Sequence, residues 1–363
     1  MLTRSATEFV GAVTFEALTG RPVYSALVQA GHALDHIRLA RAADLVVVAP
    51  ATADFMARAA TGRANDLLAA CLLATSAPVV LFPAMNDRMW AHGQTARNAA
   101  HLRELGYHVV DPDAGELAVG EGFGPGRMPE PETILAHAAR HLEPRGGLWG
   151  RRILVTAGPT REAVDPVRFL SNRSSGKMGV ALAAAAWRRG AVVDLVTGPL
   201  GVDVPVGASH QTVETTEEML AAVRGTLVLA DVLIMAAAPA DFRAAEPATA
   251  KVKKDRGPSS LRLETAPDIL KETIGDRPAG LVAVGFALET DDVLANATVK
   301  IEAKQLDLLV VNDAREAGAG FGGDTNRVTL LERNGTRVDL PLMSKTDVAD
   351  AILDRVESLL RGR

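Results

Sequence analysis

Short runs of aliphatic and β-branched residues recur through the second half of the chain, at 152–156, 192–197, 232–237, 281–286 and 308–312, with helical segments between several of them. An apolar run of this length without polar alternation suits a strand covered on both faces, and strands separated by helices make a parallel, doubly wound α/β sheet. Farther on, 327–332 and 336–340 flank Asn334-Gly335, a pair that accepts the positive φ angles of a tight hairpin. A terminal helix is predicted from Ser344, with Asp347 three residues on to complete its first turn. The first half has the same character. Strands are predicted at 44–50, 78–82 and 107–110, and helices at 6–18, from about Phe55, and at 67–74, 95–105 and 132–142. The glycine-rich stretch 115–126 (G-E-L-A-V-G-E-G-F-G-P-G) reads as a mobile flap and not as a regular element. The expected organisation is two α/β domains, 1–143 and 150–363, with Pro144-Arg145-Gly146-Gly147 in a linker over 144–149.

A long loop is predicted over 156–179 (T-A-G-P-T-R-E-A-V-D-P-V-R-F-L-S-N-R-S-S-G-K-M-G), between the strand 153–155 and an alanine-rich helix, 180–189, that Gly190 stops. In α/β folds this is where ligands bind. Its content suits an anion. Gly158 and Gly176 let backbone N–H groups approach closely, Ser174 and Ser175 add hydroxyls, and the helix start adds a positive dipole end.

Composition narrows the function classes. A net charge of −5 argues against a nucleic-acid binder that works by bulk electrostatics. The single cysteine, Cys71, excludes an internal disulfide framework and a cysteine-rich metal site; between Ala70 and Leu72 on a predicted helix, it reads as core. With only 4% aromatics, the cores must be built from Ala, Val and Leu. The most apolar stretch, 228–240, is short and carries Asp231, so no transmembrane helix is predicted. Charges near the N-terminus stand where a signal peptide would need an apolar run, and the expected location is cytoplasmic.

Several motifs, in order along nearly the whole chain, carry a family resemblance. In the second half they are the 158–179 stretch, A-A-A-P-A-D-F-R (236–243), K-V-K-K (251–254), A-P-D-I-L (266–270), V-G-F-A-L-E-T (284–290) and K-I-E-A-K (300–304). In the first half they are H-I-R-L-A (36–40), A-P-A-T-A-D (49–54) and P-A-M-N-D-R-M-W (83–90). The chain resembles the bifunctional phosphopantothenoylcysteine synthetase/decarboxylase family of bacterial coenzyme A biosynthesis. The resemblance implies a flavodoxin-like decarboxylase domain, short of its first βα unit, followed by a Rossmann-like phosphopantothenate–cysteine ligase domain with a C-terminal β-hairpin. Both domains would be doubly wound and three-layered.

For the ligase the resemblance implies CTP as the activating substrate. A carboxylate resists attack by an amine until its oxygen becomes part of a good leaving group. Phosphopantothenate would attack the α-phosphorus to give an acyl-cytidylate and pyrophosphate, and the cysteine amine would then displace CMP. Such a site needs cations for the triphosphate and donors for the acyl group. Lys251, Lys300 and Lys304 resemble the family's nucleotide-binding lysines, the last two at i, i+4 on one helix face. Asn172 resembles the asparagine that holds the acyl-cytidylate. Ala237, Asp241, Pro267, Asp268, Ile269 and Phe286 match nucleotide contacts. Mg²⁺ is expected with the triphosphate.

For the decarboxylase the resemblance implies FMN, which would oxidise the cysteine thiol so that carbon dioxide leaves from a thioaldehyde-like intermediate. His36 matches the catalytic histidine, Asn86 the asparagine that holds the substrate carboxylate, and Thr52 a flavin-loop position; Asp54 stands where the family usually has Asn. Two departures are larger. The family's flap reads A-C-G-E and its cysteine reprotonates an enethiol; this chain has Ala118-Val119-Gly120-Glu121, and valine has no proton to give. The segment matching Met1-Leu2-Thr3 is preceded in the family by a strand and a glycine-rich FMN-phosphate loop, on the order of 40 residues or one βα unit. Three readings stay open: a bifunctional enzyme, a ligase with an inactive or altered decarboxylase half, and a flavin-fold binding or regulatory protein. The resemblance also implies a homo-oligomer, with a ligase-domain dimer whose site the K-V-K-K loop completes across the interface. No nucleic acid or membrane partner is expected.

Overall fold

The structure is a computed structural model that describes residues 1–28, 32–120, 122–253, 260–289, 293–313 and 322–363. Glu121, Lys254 and Thr290, each part of a motif above, lie outside the described residues. The chain divides into two compact units, Met1–Leu142 and Glu143–Arg363.

The first unit contains α1 (Ala12–Thr19), α2 (Asp35–Ala42), β1 (Val46–Ala51), α3 (Ala53–Ala60), α4 (Leu67–Ala74), β2 (Val79–Pro83), α5 (Asp87–Ala91), α6 (Gly93–Glu104), β3 (His108–Val109), β4 (Asp113–Glu116), β5 (Phe123–Arg127) and α7 (Pro131–Leu142). Strands β1, β2 and β3 form a parallel sheet in that order. All five residues of β2 are buried, as the unbroken apolar run Val79–Pro83 requires. Val48, Leu81, Phe55, Met56 and Leu102 build the core around them. Polar caps start the helices. The Thr52 hydroxyl accepts from Phe55 N at 3.2 Å, and Asp66 Oδ1 accepts from Ala69 N at 2.8 Å.

Two expectations for this unit are corrected. The helix expected at 6–18 is split into a 3₁₀ turn, Ala6–Glu8, and α1, because Gly11 between them is extended (φ −72°, ψ 146°). The stretch read as an irregular flap is an antiparallel hairpin, β4 with β5. The glycines permit the pairing. A Cβ at Gly126 would lie 2.1 Å from Met85 O, and Met85 N donates to Gly126 O at 3.0 Å, so the hairpin lies directly on the backbone after β2. Val119, near its tip, is fully exposed.

Three histidines gather at β3 and α7. The His108 and His141 rings lie 3.9 Å apart between centroids, and His137 meets Phe82 edge-on at 5.7 Å. Burial, then the neighbouring His108, pushes the His141 pKa down to about 4, and burial also lowers those of His108 and His137. These folded values lie below the unfolded value of about 6.5, so the stability they contribute is present above that pH and is lost as pH falls towards 4. The first unit is therefore expected to melt at a lower temperature at pH 5 than at pH 7.5, with a smaller difference in His141→Phe. Identical pH dependence in the two proteins, followed by circular dichroism, would contradict this account.

The second unit contains β6 (Arg152–Ala157), β7 (Arg161–Ala163), β8 (Phe169–Ser171), α8 (Lys177–Arg188), β9 (Val192–Thr197), β10 (Ala208–Thr212), α9 (Thr216–Leu227), β11 (Val232–Met235), β12 (Phe242–Ala244), β13 (Leu263–Thr265), α10 (Ile269–Glu272), β14 (Val282–Glu289), α11 (Val293–Lys304), β15 (Leu308–Asp313), β16 (Thr325–Asn326), β17 (Val328–Glu332), β18 (Arg337–Asp339), β19 (Met343–Ser344) and α12 (Lys345–Arg361). Its main sheet runs β10-β9-β6-β11-β14-β15-β17-β18. The first six strands are parallel, and the β17–β18 hairpin adds an antiparallel edge. Apolar layers cover both faces, one with α8 and α12 and the other with α9, α10 and α11. Gly179 carries the close approach of α8 to β6, since a Cβ there would lie 2.5 Å from Ala157 Cβ and 2.8 Å from Thr156 O. Leu148, within the expected linker, is fully buried in the first of these layers. Among the described residues no helix is long and apolar enough to cross a membrane.

Candidate active site

Beyond the carboxyl ends of β11 and β14 the second unit opens into a cavity of about 640 Å³. One wall is the segment between β6 and α8. It is not the unbroken loop expected from sequence, because β7 and β8 pair within it as a small hairpin. The hairpin is held from below. Thr160 Oγ1 shares a 2.8 Å hydrogen bond with Thr216 Oγ1, Ser171 Oγ donates to Thr160 O at 2.7 Å, and Glu162 Oε1 accepts from both Thr216 N and its hydroxyl at 2.8 Å. All three threonine and glutamate side chains belong to buried residues, where such bonds hold one conformation firmly.

The same loop shapes the backbone after β11. The strand expected to reach 237 ends at Met235, because the next N–H groups leave the ladder. Ala237 N donates to Thr156 Oγ1 at 3.1 Å, Ala238 N to Gly158 O at 2.9 Å, and Ala240 N to Thr160 Oγ1 at 2.9 Å. Gly158 turns with φ +77° to allow this. Asn172 then ties the two segments together, its Nδ2 donating to Ala238 O at 3.2 Å and Pro239 O at 2.9 Å. It is not the helix cap that an Asn before two serines would ordinarily be; Gly176 caps α8.

Asn172, Ala237, Asp241, Pro267, Asp268, Ile269, Phe286, Lys300 and Lys304 all line this cavity. Lys300 and Lys304 come from α11, and Lys304 Nζ lies 3.1 Å from Asp268 Oδ2. Asp268 also caps α10, accepting from Lys271 N at 3.3 Å. Lys251 is different. It is exposed and is not among the lining residues. Its segment is drawn to the turn between β7 and β8, where Val252 N donates to Asp165 Oδ2 at 3.2 Å and Arg168 Nη2 donates to Val252 O at 3.0 Å. The Arg168 guanidinium and the backbone N–H of Val167 hold the buried Asp165 carboxyl well below the usual carboxylate range.

Sequence reading missed a second polar group in the cavity: Lys177, Lys345, Asn312 and Asn326. Lys345 is 7% exposed, and burial, then the nearby Lys177, lowers its pKa. Asn326 is 2% exposed; its Nδ2 donates to Asn312 Oδ1 at 3.4 Å, and its buried Oδ1 has no partner among the described residues. Lys177 stood inside a quoted motif, but nothing in sequence joins it to Lys345.

In the first unit, Thr52 and Asn86 follow β1 and β2, whose last paired residues are Ala51 and Pro83, so both stand at one end of the sheet. The Thr52 hydroxyl is taken by the cap of α3, while Asn86 Oδ1 accepts from Arg88 N at 2.9 Å and leaves its NH₂ group to donate. His36 stands on α2 with Nδ1 buried and unpartnered among the described residues. Buried polar atoms are normally paired, so a polar ligand at His36 fits, as the flavin or its substrate would be. Cys71 on α4 is 1% exposed, and its thiol donates to His36 O at 3.4 Å, which agrees with a core role.

Residues 1–143 match the family model described as flavoprotein, and residues 148–360 match the DNA/pantothenate metabolism flavoprotein C-terminal domain. The coenzyme A biosynthesis bifunctional protein CoaBC of Bacillus subtilis is 43% identical over 364 residues, covering 99% of this chain and 89% of that protein. The protein of the same name from Mycobacterium tuberculosis (strain H37Rv) is 46% identical over 375 residues, again 99% and 89%. Among solved structures, the C-terminal domain of a CoaBC protein superposes with a TM-score of 0.52 at 38% identity, covering 60% of this chain and all of that one.

Proposed function

The chain belongs to the family of bifunctional coenzyme A biosynthesis proteins, and from that premise we propose how its residues carry the two reactions. It is a phosphopantothenate–cysteine ligase joined to a flavoprotein decarboxylase, and the non-enzymatic reading is not favoured. The observation that carries the residue-level reading of the ligase is the lining of the cavity in the second unit. Nine residues matched by motif alone line one cavity.

In that cavity the nucleotide base and ribose lie against Ala237, Asp241 and Phe286, and the backbone at 267–269 borders them. Lys300 and Lys304 neutralise phosphate charge, with Mg²⁺ brought by the triphosphate. Asn172 positions the acyl-cytidylate beside the carbonyls of Ala238 and Pro239, which its NH₂ group already orients. Lys251 acts from a second copy of the chain, in a dimer; its exposure and its absence from the lining of its own cavity support this. The enzyme works in the cytoplasm.

In the first unit, FMN supplies an electron acceptor for the thiol of the substrate. Asn86 donates to the substrate carboxylate, and His36, with its buried Nδ1, orients or protonates a polar group at the ring.

A product assay tests both units. Protein given 4'-phosphopantothenate, cysteine, CTP and Mg²⁺ is expected to form 4'-phosphopantothenoylcysteine, CMP and pyrophosphate, followed by mass spectrometry. With added FMN, 4'-phosphopantetheine and carbon dioxide are expected. Absence of any CTP-dependent product would sink the ligase reading, and a product that stops at phosphopantothenoylcysteine with FMN present would sink the decarboxylase reading.

A further inference from the structure

Arg277 lies in the segment between α10 and β14, partly buried and outside the lining of the cavity. Its guanidinium reaches two helices. Nη2 donates to Leu270 O in α10 at 2.6 Å. Nη1 donates to Lys304 O, at the last residue of α11, at 3.0 Å and to Gln305 O at 2.9 Å. Carbonyls at a helix C-terminus have no partner within the helix and carry its negative dipole end, so a cation suits them. A charged, planar fork also makes strong and directional bonds.

The end of α11 has reason to be held. Gln305 turns with φ +48°, a left-handed conformation that is unfavourable for a residue with a side chain. Leu306 N closes the turn by donating to Ile301 O at 2.9 Å, and Arg277 takes the carbonyls of Lys304 and Gln305. Leu270 and Leu306 meet over Gly285 of β14, where a Cβ would lie 2.6 Å from Leu306 Cδ1 and 3.3 Å from Leu270 Cδ1. Such apolar contact is non-directional: it brings the two helices together without fixing how far one slides past the other. The hydrogen bonds of Arg277 supply that direction.

Both helices deliver residues to the cavity. Asp268 caps α10, and Lys304, whose carbonyl Arg277 holds, places its Nζ 3.1 Å from Asp268 Oδ2. The Lys304–Asp268 pair therefore bridges, at the cavity, the same two elements that Arg277 bridges outside it. Arg224 of α9 holds the α10 segment from another side, donating to Glu272 O and Asp276 Oδ2, both at 2.9 Å, with no hydrogen bond to α11 among the described residues.

We propose that Arg277 is a positioning residue for ligation: it sets the register of α11 against α10 and so holds the Lys304 ammonium where the triphosphate meets it. The proposal rests on reading the cavity as the CTP site and Lys304 as one of its phosphate ligands. Arg277 acts through Lys304 and not by touching the nucleotide. A ligand lysine displaced by about 1 Å loses much of what it contributes to binding the triphosphate and to stabilising charge on the departing pyrophosphate.

A double-mutant cycle on the full-length protein tests this. Wild type, Arg277→Met, Lys304→Met and the double variant are compared for kcat and for KM towards CTP and cysteine, with folding followed by circular dichroism. Arg277→Met is expected to lower kcat/KM for CTP about thirtyfold and to leave the KM for cysteine, which enters after CTP has reacted, within about twofold. Without Lys304 the same substitution is expected to cost no more than about threefold, because the residue it acts through is gone. Arg224→Met, the control, is expected to lose the same small factor, about threefold or less, in both backgrounds. A loss from Arg277→Met that is equal with and without Lys304 overturns the proposal and leaves Arg277 a structural residue. So does wild-type kinetics, or a KM for cysteine that rises together with that for CTP. If Arg277→Met fails to fold, Arg277→Lys replaces it in the cycle; a single ammonium keeps the charge but not the fork, and its expected loss of about tenfold likewise disappears without Lys304. Failure of the underlying reading looks different: Lys304→Met alone would then leave kcat/KM for CTP unchanged, removing Lys304 from the phosphate site and this proposal with it.

Discussion

Gly198→Ala is expected to lower the melting temperature of the second unit by roughly 6–12 °C, the equivalent of about 3 kcal/mol, and to reduce ligation by about a hundredfold. Gly198 follows β9 and donates its N–H to Ala157 O at 3.0 Å. A Cβ there would lie 1.6 Å from Pro159 O and 2.7 Å from Pro159 C. Both are backbone atoms, so no side-chain rotation relieves the clash. The turn at 158–160 would have to move, and with it the bonds from Ala238 N to Gly158 O and from Ala240 N to Thr160 Oγ1 that shape the cavity wall. Differential scanning calorimetry together with initial rates of pyrophosphate release measures both effects. A variant that melts and ligates like wild type would show that the loop does not need this close approach.

Asn172→Asp is expected to reduce kcat/KM for ligation by about a thousandfold with little change in melting temperature. The substitution keeps shape and size. It replaces an NH₂ group that donates to Ala238 O and Pro239 O with a carboxylate oxygen that faces the same two carbonyls at 3.2 and 2.9 Å. It also adds negative charge to a cavity lined by lysines, the proposed phosphate ligands Lys300 and Lys304 among them. Asn172 is exposed, so water can re-solvate the freed groups and the stability cost stays small. Activity within threefold of wild type at saturating cysteine would remove Asn172 from the binding machinery.

The sequence by itself determined five of the six parallel strands in the main sheet of the second half and the hairpin at its edge, because covered strands leave distinct apolar patterns; the exposed edge strand β10 leaves none. The runs at 192–197 and 67–74 fall on β9 and α4 without adjustment. The motifs also pointed to nine of the residues that gather at the cavity of the second unit, though not to the outlying position of Lys251; apart from Phe286, within β14, each sits past a strand or on a helix that the topology brings to one edge. Only the tertiary structure decided the rest, and in each case the reason is a contact distant in sequence. The 115–126 stretch is a hairpin because its glycines can lie against the backbone at Met85, and no local pattern announces that surface. Strand β11 stops at Met235 because Thr156 and Gly158 take the next N–H groups. Lys177 and Lys345, 168 positions apart by their numbers, meet over Gly322, Gly323 and Asp324 because α8 and α12 pack on the same face of the sheet. Periodicity reports which face of an element is covered; which charges end up together depends on how the covered faces stack.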